Sequence, residues 1–405
     1  MRYALLFFVL LGSSAWAAET ITIDKAEPFD AELVAASNPS GLPLRIDGEQ
    51  TTIAWNQLIR WGTPAKPLGR PRVVLRDGSV LVAAPPWTRD GSIQLDKQRI
   101  KIRSSSLRAI TADRSLLKSL LFEAARDPQI YHRPKEPPND LRDEVYTVNG
   151  DVLKVVQSTI ERSELRIKTS SDSEPIPLDL KQVASLHSWQ EGTKRREGAM
   201  LVGLRDGSLL RSLSLSFDER GFSTELRGGI KLSGRKVSDI VFLQRLQGIF
   251  YLSDIKPIDY RHTPYAGVAW DYARDENLHG EPIHVAGQRY LKGIAMHSPS
   301  RLVYRLKPGT YNRLHFAMAI DDSAQTSGPS IGGSVVFRVL IAKEKTFQPV
   351  FTSPVVRSGD PPRTASVDIK NARAMALLVE PADYGDRQDH AVWLDARLSR
   401  LSIDE

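Results

Sequence analysis

The alternation of hydrophobic and polar positions predicts repeated β-hairpins in the N-terminal part of the chain. Three stretches each have an apolar strand, an Asp-Gly or Asn-Gly turn and a second apolar strand. These dipeptides between alternating strands are the strongest short-range signal for a hairpin. The stretches are VVLRDGSVLVA at 73–83, YTVNGDVLKVV at 146–156 and VGLRDGSLLRS at 202–212.

Each hairpin is followed by a second apolar patch, and these patches end at Ile110, His187 and Leu243. The repeated unit is therefore larger than a hairpin, and a fainter copy at 42–62, LPLRIDGEQTTIAWNQLIRWG, indicates a fourth unit. Units of about 50 to 70 residues with short strands favour small β-barrels, because closure removes exposed sheet edges. On this hairpin pattern the units resemble the Sm-like and SH3-like small β-barrel families.

One helix is predicted among the repeats. Asp113 can cap the stretch RSLLKSLLFEAAR at 114–126, whose leucines form an apolar stripe at helical spacing. The next stretch, 127–141, is rich in proline and charge and is predicted to be a linker. The predicted domains are one or more small β-barrel-like units at 18–126, a second β-unit at 142–190, a third at 191–248 and a last domain at 249–405.

From about Ile249 the strands become rich in aromatic residues and the Asp-Gly unit is lost. The motifs GQRYLKGIAMHSPSRLVYRL, YNRLHFAMAIDDS, GSVVFRVLI and TASVDIKNARAMALLVEPADYGDRQDHAVWLDARL follow one another there. Over about residues 250–400 this order resembles the NPCBM family, a family of carbohydrate-binding modules found beside glycoside hydrolases. The resemblance implies a galactose-binding-like jelly-roll β-sandwich that binds glycan. Alternating strands separated by turns agree with a sandwich.

The N-terminus has the features of a secretory signal peptide at 1–17. Arg2 precedes an apolar run from Ala4 to Leu11, and the cleavage pattern Ala-Trp-Ala follows at 15–17. The run is shorter than the roughly 20 residues that span a bilayer. The chain has no cysteine, which excludes disulfides and thiol chemistry. We expect an exported protein without a transmembrane segment, located in the periplasm, at the cell surface or outside the cell.

Positive charge is concentrated between Arg60 and Lys118, where thirteen Lys and Arg stand against four Asp and Glu. In QRIKIRS, Ile100 and Ile102 alternate with basic residues, as in a half-buried strand with a solvated face. In a cytosolic protein this charge would suggest nucleic acid, but an exported protein meets little of it. We expect no nucleic-acid partner, and the alternative to a solvated face is an anionic polymer or a membrane surface.

Candidate ligand contacts come from polar and aromatic residues of the last domain, since sugars bind to aromatic faces and planar polar groups. Asp321 and Asp322 follow a strand, where support of the turn competes with ligand or calcium contact. In the stretch GDRQDHAVWLDARL at 385–398, Asp395 and Arg397 are expected to pair structurally. The predicted ligand-binding residues are Trp393, His297, Tyr290, Asp322, Asp389 and His390, with Trp270, Tyr272 and Tyr384 as further aromatic candidates.

The leading interpretation is an exported, non-catalytic protein that binds a glycan or polysaccharide through its last domain. A glycoside hydrolase barrel needs about 250 residues of alternating strands and helices, so with one predicted helix we expect no enzyme and no catalytic residues. We expect no cofactor, and the alternative is a structural calcium ion at the clustered carboxylates. The alternative is a secreted scaffold or adaptor that recognises other cell-surface proteins and binds no sugar. A third interpretation is an accessory subunit of a glycoside hydrolase system.

Overall fold

The structure consists of β-strands joined by turns and single turns of 3-10 helix, with no α-helix among the described residues. This confirms the all-β prediction. The N-terminal compact unit comprises Met1–Gly62 and Pro67–Arg245, and the C-terminal one comprises Leu246–Glu405 together with Thr63–Lys66. The computed structural model describes residues 19–23, 29–36, 40–65, 71–84, 92–122, 143–189, 198–219, 221–265, 269–324, 332–383 and 385–400.

Two predicted segments lie outside the described residues: the signal peptide at 1–17 and the linker at 127–141. Both stay predictions. In the part of the chain that the structure describes, no helix has the length and apolar character needed to cross a membrane.

The N-terminal compact unit contains four small barrel-like units within the described residues, which we call barrels 1 to 4. In each, the last strand pairs antiparallel with the first. Barrel 1 has β1 Glu19–Ile23, β2 Phe29–Leu33, β3 Leu42–Ile46, β4 Glu49–Ile53 and β5 Leu58–Gly62. Barrel 2 has β6 Arg72–Leu75, β7 Val80–Val82, β8 Ile93–Leu95, β9 Arg99–Ile102, β10 Ile110–Asp113 and β11 Leu117–Leu121. Barrel 3 has β12 Asp143–Thr147, β13 Val152–Val155, β14 Gln157–Glu161, β15 Glu164–Lys168, β16 Ile176–Asp179 and β17 Val183–His187. Barrel 4 has β18 Met200–Leu204, β19 Leu209–Asp218, β20 Gly221–Leu226, β21 Ile230–Gly234 and β22 Ile240–Arg245.

The three predicted hairpins with Asp-Gly and Asn-Gly turns are confirmed, because the first two strands of barrels 2, 3 and 4 pair antiparallel. Gly78, Gly150 and Gly207 have φ angles of 91°, 96° and 90°, which glycine adopts without steric cost.

The predicted fourth copy at 42–62 needs a correction. Its Asp-Gly turn joins the third and fourth strands of barrel 1, which begins earlier, at Glu19. The first connection of this barrel has no Asp-Gly pair, so the hairpin pattern does not mark it.

The predicted helix at 114–126 is wrong over the residues that the structure describes. Arg114–Leu116 form one turn of 3-10 helix, which Asp113 caps by accepting from Ser115 N at 2.8 Å. The chain then continues as β11, which lies between β6 and β17 in one sheet, with two of its leucines fully buried. The leucine spacing suits a helix, but strand pairing on both sides overrides this local preference.

Barrels 2 and 4 are joined at their hairpin turns by two matched hydrogen bonds. Arg211 N donates to Ser79 Oγ at 2.9 Å, and Val82 N donates to Ser208 Oγ at 2.9 Å. Each serine follows the turn glycine, and each donor stands three residues after a serine, so the contact has local two-fold symmetry. Val80 and Leu209, which follow the two serines, pair with each other at the centre of this contact. We call this contact the serine joint. One 16-stranded sheet runs through the four barrels and has β13 and β4 at its ends.

The C-terminal unit is a β-sandwich, which confirms the predicted fold. Its strands are β23 Phe250–Tyr251, β24 Asp259–His262, β25 Ala273–Arg274, β26 Ile283–Val285, β27 Gln288–Tyr290, β28 Gly293–His297, β29 Ser300–Arg305, β30 Tyr311–Ile320, β31 Ser334–Ala342, β32 Gln348–Thr352, β33 Val356–Arg357, β34 Arg363–Asp368, β35 Ala374–Pro381 and β36 His390–Arg400. One sheet has the order β25-β28-β36-β30-β34 with β23 against β36, and the other β24-β29-β35-β31-β32 with β33 against β31. The strands β26 and β27 form a separate hairpin. Apolar side chains of both sheets pack into one core.

The last strand, β36, contains a bulge at Asp395, whose φ is 47°. Before the bulge, Ala391 and Trp393 face the core between the sheets, and after it Ala396 and Leu398 do. The bulge therefore changes which alternate residues of the strand point into the core. It also changes the predicted pairing with Arg397, whose guanidinium donates to the backbone carbonyl of Asp395 at 3.3 Å.

Candidate functional site

Six strands of the sandwich begin or end at the same edge. The strands β24, β28 and β30 end there, and β29, β31 and β36 begin there. Their pairing shows this, since His297 lies opposite His390, Ile320 opposite Ala391 and His262 opposite Ser300. Polar side chains that are far apart in the sequence are therefore brought together at this end.

A cluster of aromatic rings forms the centre of this end, and we call it the Trp270 cluster. The Trp270 ring stacks on His297 with ring centroids 5.3 Å apart and 5° between planes. It contacts His279 at 5.7 Å and His390 at 5.8 Å between centroids. His262 joins through His297, at 5.4 Å between centroids. Trp270 is half-buried and His279 is exposed, so the cluster is open to solvent on one side.

Hydrogen bonds to the backbone orient two of the imidazoles. His262 Nδ1 accepts from Trp270 N at 3.0 Å, so its other nitrogen carries the proton and donates to the Ser298 carbonyl at 3.2 Å. His297 Nδ1 donates to the same carbonyl at 2.9 Å. Because His297 Nδ1 is a donor, the neutral ring keeps a lone pair on Nε2, which can accept a hydrogen bond.

Burial keeps the buried histidines of the cluster uncharged at neutral pH. It lowers the pKa of His297. It lowers the pKa of His390 to about 4, assisted by repulsion from His279 and His297. Neutral imidazoles can both accept and donate hydrogen bonds.

Two adjacent aspartates support the loops around the cluster. Asp321 is buried and accepts from Asn277 Nδ2 at 3.2 Å, from His284 N at 2.9 Å and from Ser323 N at 3.0 Å. Asp322 accepts from the backbone N–H groups of residues 286 and 287, both at 2.9 Å. Both oxygens of Asp322 thus hold the turn between β26 and β27. Asp322 thus has a structural role, and its predicted ligand contact stays a prediction.

Asp389 is a buried anchor between strands. It accepts a short hydrogen bond from Ser298 Oγ and another from Ser334 N at 2.9 Å. Its side chain is 1% exposed, and burial raises its pKa to about 7. A ligand at the surface cannot reach this carboxyl group, so its predicted role as a ligand contact is corrected to a structural one.

The remaining predicted residues have different positions. His297 and His390 belong to the Trp270 cluster, as described. Trp393 is in the core, with ring centroids 4.9 Å from Phe337 and 5.1 Å from Phe316, so the prediction of a ligand contact is wrong. Tyr290 is buried with the residues of β26 and is not at the surface of the cluster. Among the further aromatic candidates, Tyr272 packs on Tyr260 at 5.0 Å between centroids, and Tyr384 lies outside the described residues.

His262 and His279 belong to the cluster without any local sequence signal. The chain has eight histidines, and four of them meet at this end of the sandwich. They are separated by long stretches of sequence, so no spacing motif connects them. Three of them lie on strands that meet at this end, and His279 joins them from the loop between β25 and β26.

One group of possible metal ligands is found among the described residues. His262, His297 and Asp386 each have a ligand atom within 4.8 Å of the others. Both nitrogens of His262 are already hydrogen-bonded, and Asp386 accepts from Tyr265 N at 3.1 Å. Calcium takes oxygen ligands, so two imidazoles do not suit the predicted calcium ion. We assign no metal to this group.

The sandwich thus gathers aromatic and polar side chains on loops at one end of a rigid scaffold, where functional residues are often found. Residues 248–399 match the family model of the NPCBM/NEW2 domain. The C-terminal part of the chain is therefore an NPCBM/NEW2 domain, which confirms the resemblance in the sequence. None of the curated proteins compared with this chain matches it.

Solved structures similar to this chain include several CBM51 modules. A CBM51 from Clostridium perfringens GH95, in complex with methyl-galactose, is 22% identical with a TM-score of 0.32, covering 37% of this chain and 99% of that chain. A C. perfringens ZmpB structure of CBM51-2 in complex with GlcNAc and INT domains is 21% identical with a TM-score of 0.33, covering 57% and 46%. Tandem CBM51 modules of the family 98 glycoside hydrolase Sp3GH98 from Streptococcus pneumoniae are 13% identical with a TM-score of 0.33, covering 64% and 88%.

Proposed function

We propose that this chain is an exported, non-catalytic protein whose C-terminal sandwich binds a glycan at the Trp270 cluster. One observation carries the proposal: a half-buried tryptophan ring lies among neutral imidazoles at the loop end of an NPCBM/NEW2 domain. The exposed part of the ring suits the C–H face of a sugar. The lone pair on His297 Nε2 and the exposed His279 suit its hydroxyl groups.

The cluster is built for binding more than for bond cleavage. Hydrolysis of a glycosidic bond needs two carboxyl groups that flank the sugar. The carboxyl groups of Asp321 and Asp389 are buried and hydrogen-bonded to the surrounding loops. They stabilise the cluster and do not present an acid and a base to a substrate.

A glycan array probed with the full mature chain tests the proposal. We expect binding to at least one glycan, with Trp270→Ala weakening the affinity at least about tenfold because the stacking surface is lost. Phe347→Ala is the matched control, since this aromatic is 37% exposed on the loop after β31, away from the end where β31 begins. The control should bind as the wild type does.

Two outcomes would contradict the proposal. The first is a wild-type chain that binds no polysaccharide on the array. The second is equal loss of binding in Trp270→Ala and Phe347→Ala, which would place the sugar elsewhere. Affinity isolation of a protein partner together with the first outcome would favour the scaffold interpretation.

A further inference from the structure

Two side chains of β24 hold the backbone of Trp270 from both sides, an arrangement that we call the β24 clamp. His262 Nδ1 accepts from Trp270 N at 3.0 Å, and the Tyr260 hydroxyl donates to the Trp270 carbonyl at 2.8 Å. Tyr260 and His262 are two positions apart on the strand, so they point to the same side of the sheet. One strand therefore satisfies both backbone polar groups of a single loop residue.

The strand that carries the clamp is itself fixed. It pairs with β29, so that Tyr260 lies opposite Leu302 and His262 lies opposite Ser300. The second nitrogen of His262 donates to the Ser298 carbonyl at 3.2 Å. Because the imidazole is hydrogen-bonded at both nitrogens, it cannot rotate without breaking one of these bonds.

The Tyr260 side chain holds the loop through its hydroxyl and through its ring. Burial raises the pKa of Tyr260 above its ordinary value, so the hydroxyl stays protonated and remains a donor. The ring packs on Tyr272, two residues after Trp270, with centroids 5.0 Å apart. The chain is therefore attached to Tyr260 at Trp270 and again two residues later.

His262 also supports the tryptophan ring through a second imidazole. The indole of Trp270 stacks on His297, and the ring of His297 contacts His262 edge-on with centroids 5.4 Å apart. His262 thus acts on the tryptophan directly at its backbone N–H and indirectly at its ring. A change at His262 should therefore disturb both the position of the loop and the orientation of the indole.

We propose that Tyr260 and His262 are positioning residues, which fix the Trp270 ring for glycan binding. The inference rests on the proposed function and adds two residues to it. Their effect on affinity comes through Trp270, whose backbone they bind, and requires no contact with the sugar. A loop already held in its binding conformation loses less conformational entropy when a ligand binds, so the clamp should raise the affinity.

Nitrogen-15 labelling of the tryptophans in the full mature chain tests the clamp by NMR without any glycan. The loss of one backbone amide signal in Trp270→Phe identifies Trp270. We expect this amide to be rigid in the wild type, with an order parameter of about 0.85, and flexible in His262→Leu, with a value below about 0.6. His262→Asn should restore the rigid amide, because the asparagine Oδ1 is two bonds from Cβ, as Nδ1 is, and can accept the same hydrogen bond.

Calorimetric titration measures the effect on affinity, with the glycan that gives the strongest wild-type signal on the array as the probe. His262→Leu should raise the Kd about tenfold, since the backbone acceptor and the contact with His297 are both lost. Tyr260→Phe should raise it about threefold, because one hydrogen bond is lost and the ring remains. His262→Asn should stay within about twofold of the wild type, which a role in packing alone would not produce.

His315→Leu and Tyr311→Phe are the matched controls. Both residues are half-buried, as Tyr260 and His262 are, and both lie in the first half of β30, away from the edge where this strand ends. The two controls should leave the Trp270 amide and the Kd unchanged. Circular dichroism of every variant checks that the sandwich is folded.

Three outcomes would overturn the proposal. The first is a Trp270 amide that stays rigid in His262→Leu, and the second is a His262→Asn variant in which it is as flexible as in His262→Leu. The third is an unchanged Kd in a variant whose amide has become flexible. A wild-type chain that binds no glycan contradicts the proposed function instead, and a flexible amide in His262→Leu would still support the clamp.

Discussion

Trp393 and Trp270 belong to the same sandwich but lie in different physical environments. Trp393, on a central strand, is 0% exposed and packs between two phenylalanine rings. Trp270, on a loop, is half-buried and packs on histidines. The first ring contributes apolar burial to the fold, and the second leaves part of its surface to solvent. Position on a strand or on an end loop thus separates a structural tryptophan from one available to a ligand.

The two environments are also held together by different forces. Around Trp393 the neighbours are apolar and close-packed. Around Trp270 the loops are held by the carboxyl groups of Asp321 and Asp389, which accept hydrogen bonds from backbone N–H groups. The stability change on substitution should therefore depend mainly on side-chain volume around Trp393. Around Trp270 it should depend mainly on hydrogen bonding and protonation.

The largest expected effect is in the core. Trp393→Ala should lower the free energy of unfolding by about 3 to 5 kcal/mol, since a buried aromatic is replaced by a cavity. Trp393→Phe should cost much less, because the Trp393 Nε1 is buried and has no hydrogen-bond partner among the described residues. Denaturant unfolding followed by circular dichroism measures both. A loss below about 1 kcal/mol for the alanine variant would contradict this placement of the ring.

The next effect concerns the loops around Trp270. Asp321→Ala should lower the free energy of unfolding by about 2 to 4 kcal/mol, because it leaves three donors, from Asn277, His284 and Ser323, without their acceptor. Asp321→Asn retains an acceptor oxygen and should lose less. Chemical denaturation of the two variants side by side provides the measurement. An equal loss of unfolding free energy in both variants would mean that the hydrogen bonds to Asp321 do not stabilise the fold.

A third effect follows from protonation of Asp389 and His390. Folding lowers the pKa of His390 from 6.5 to about 4, so the free energy of unfolding falls as the pH falls through this range. Folding raises the pKa of Asp389 from 3.8 to about 7, so the free energy of unfolding falls as the pH rises through that range. The two effects oppose each other between about pH 4 and 6.5.

Removing either group should expose the effect of the other. Relative to the wild type, His390→Gln should make the free energy of unfolding decline more steeply with rising pH, by up to about 1.4 kcal/mol per pH unit. Asp389→Asn should change the slope by a similar amount in the opposite direction. Urea unfolding between pH 4 and 7, in buffer with a chelator, measures the slopes. Parallel curves for all three proteins would contradict the opposing shifts.

The smallest expected effect on stability is at the other tryptophan. Trp270→Ala should change the free energy of unfolding by about 1 kcal/mol or less, since its ring is only half-buried and its backbone hydrogen bonds remain. A loss as large as that of Trp393→Ala, measured by the same denaturation, would mean that both rings belong to the core.

Much of the fold can be predicted from the sequence where a local signal exists. The Asp-Gly and Asn-Gly turns locate three hairpins, and the ordered motifs of the last domain indicate the sandwich. The 114–126 segment shows the limit, because its leucine spacing suits a helix and only pairing with two neighbouring strands makes it β11. The first strands of barrel 1 were also beyond local prediction, since their connection has no turn signature.

The site could be predicted only in part. Alternation along the last strand does not show that Trp393 faces the core, because one extra residue at Asp395 shifts the pattern. His297 and His390 are recognisable as polar residues near strand ends. His262 and His279 are not, since their role depends on a strand and a loop that meet the other histidines only in three dimensions.

The serine joint gains a further property from the covalent continuity of the chain. Its two turns belong to one polypeptide, so each meets the other at an effective concentration that can reach the millimolar range, whatever the amount of protein present. A contact of two matched hydrogen bonds and one residue pair, too small to hold separate molecules together, can stay closed under these conditions. The same two barrels are also joined by Arg108 N donating to Ser233 O at 2.9 Å and Arg235 N donating to Ser106 O at 3.2 Å, so tethering and this wider contact keep the serine joint closed together.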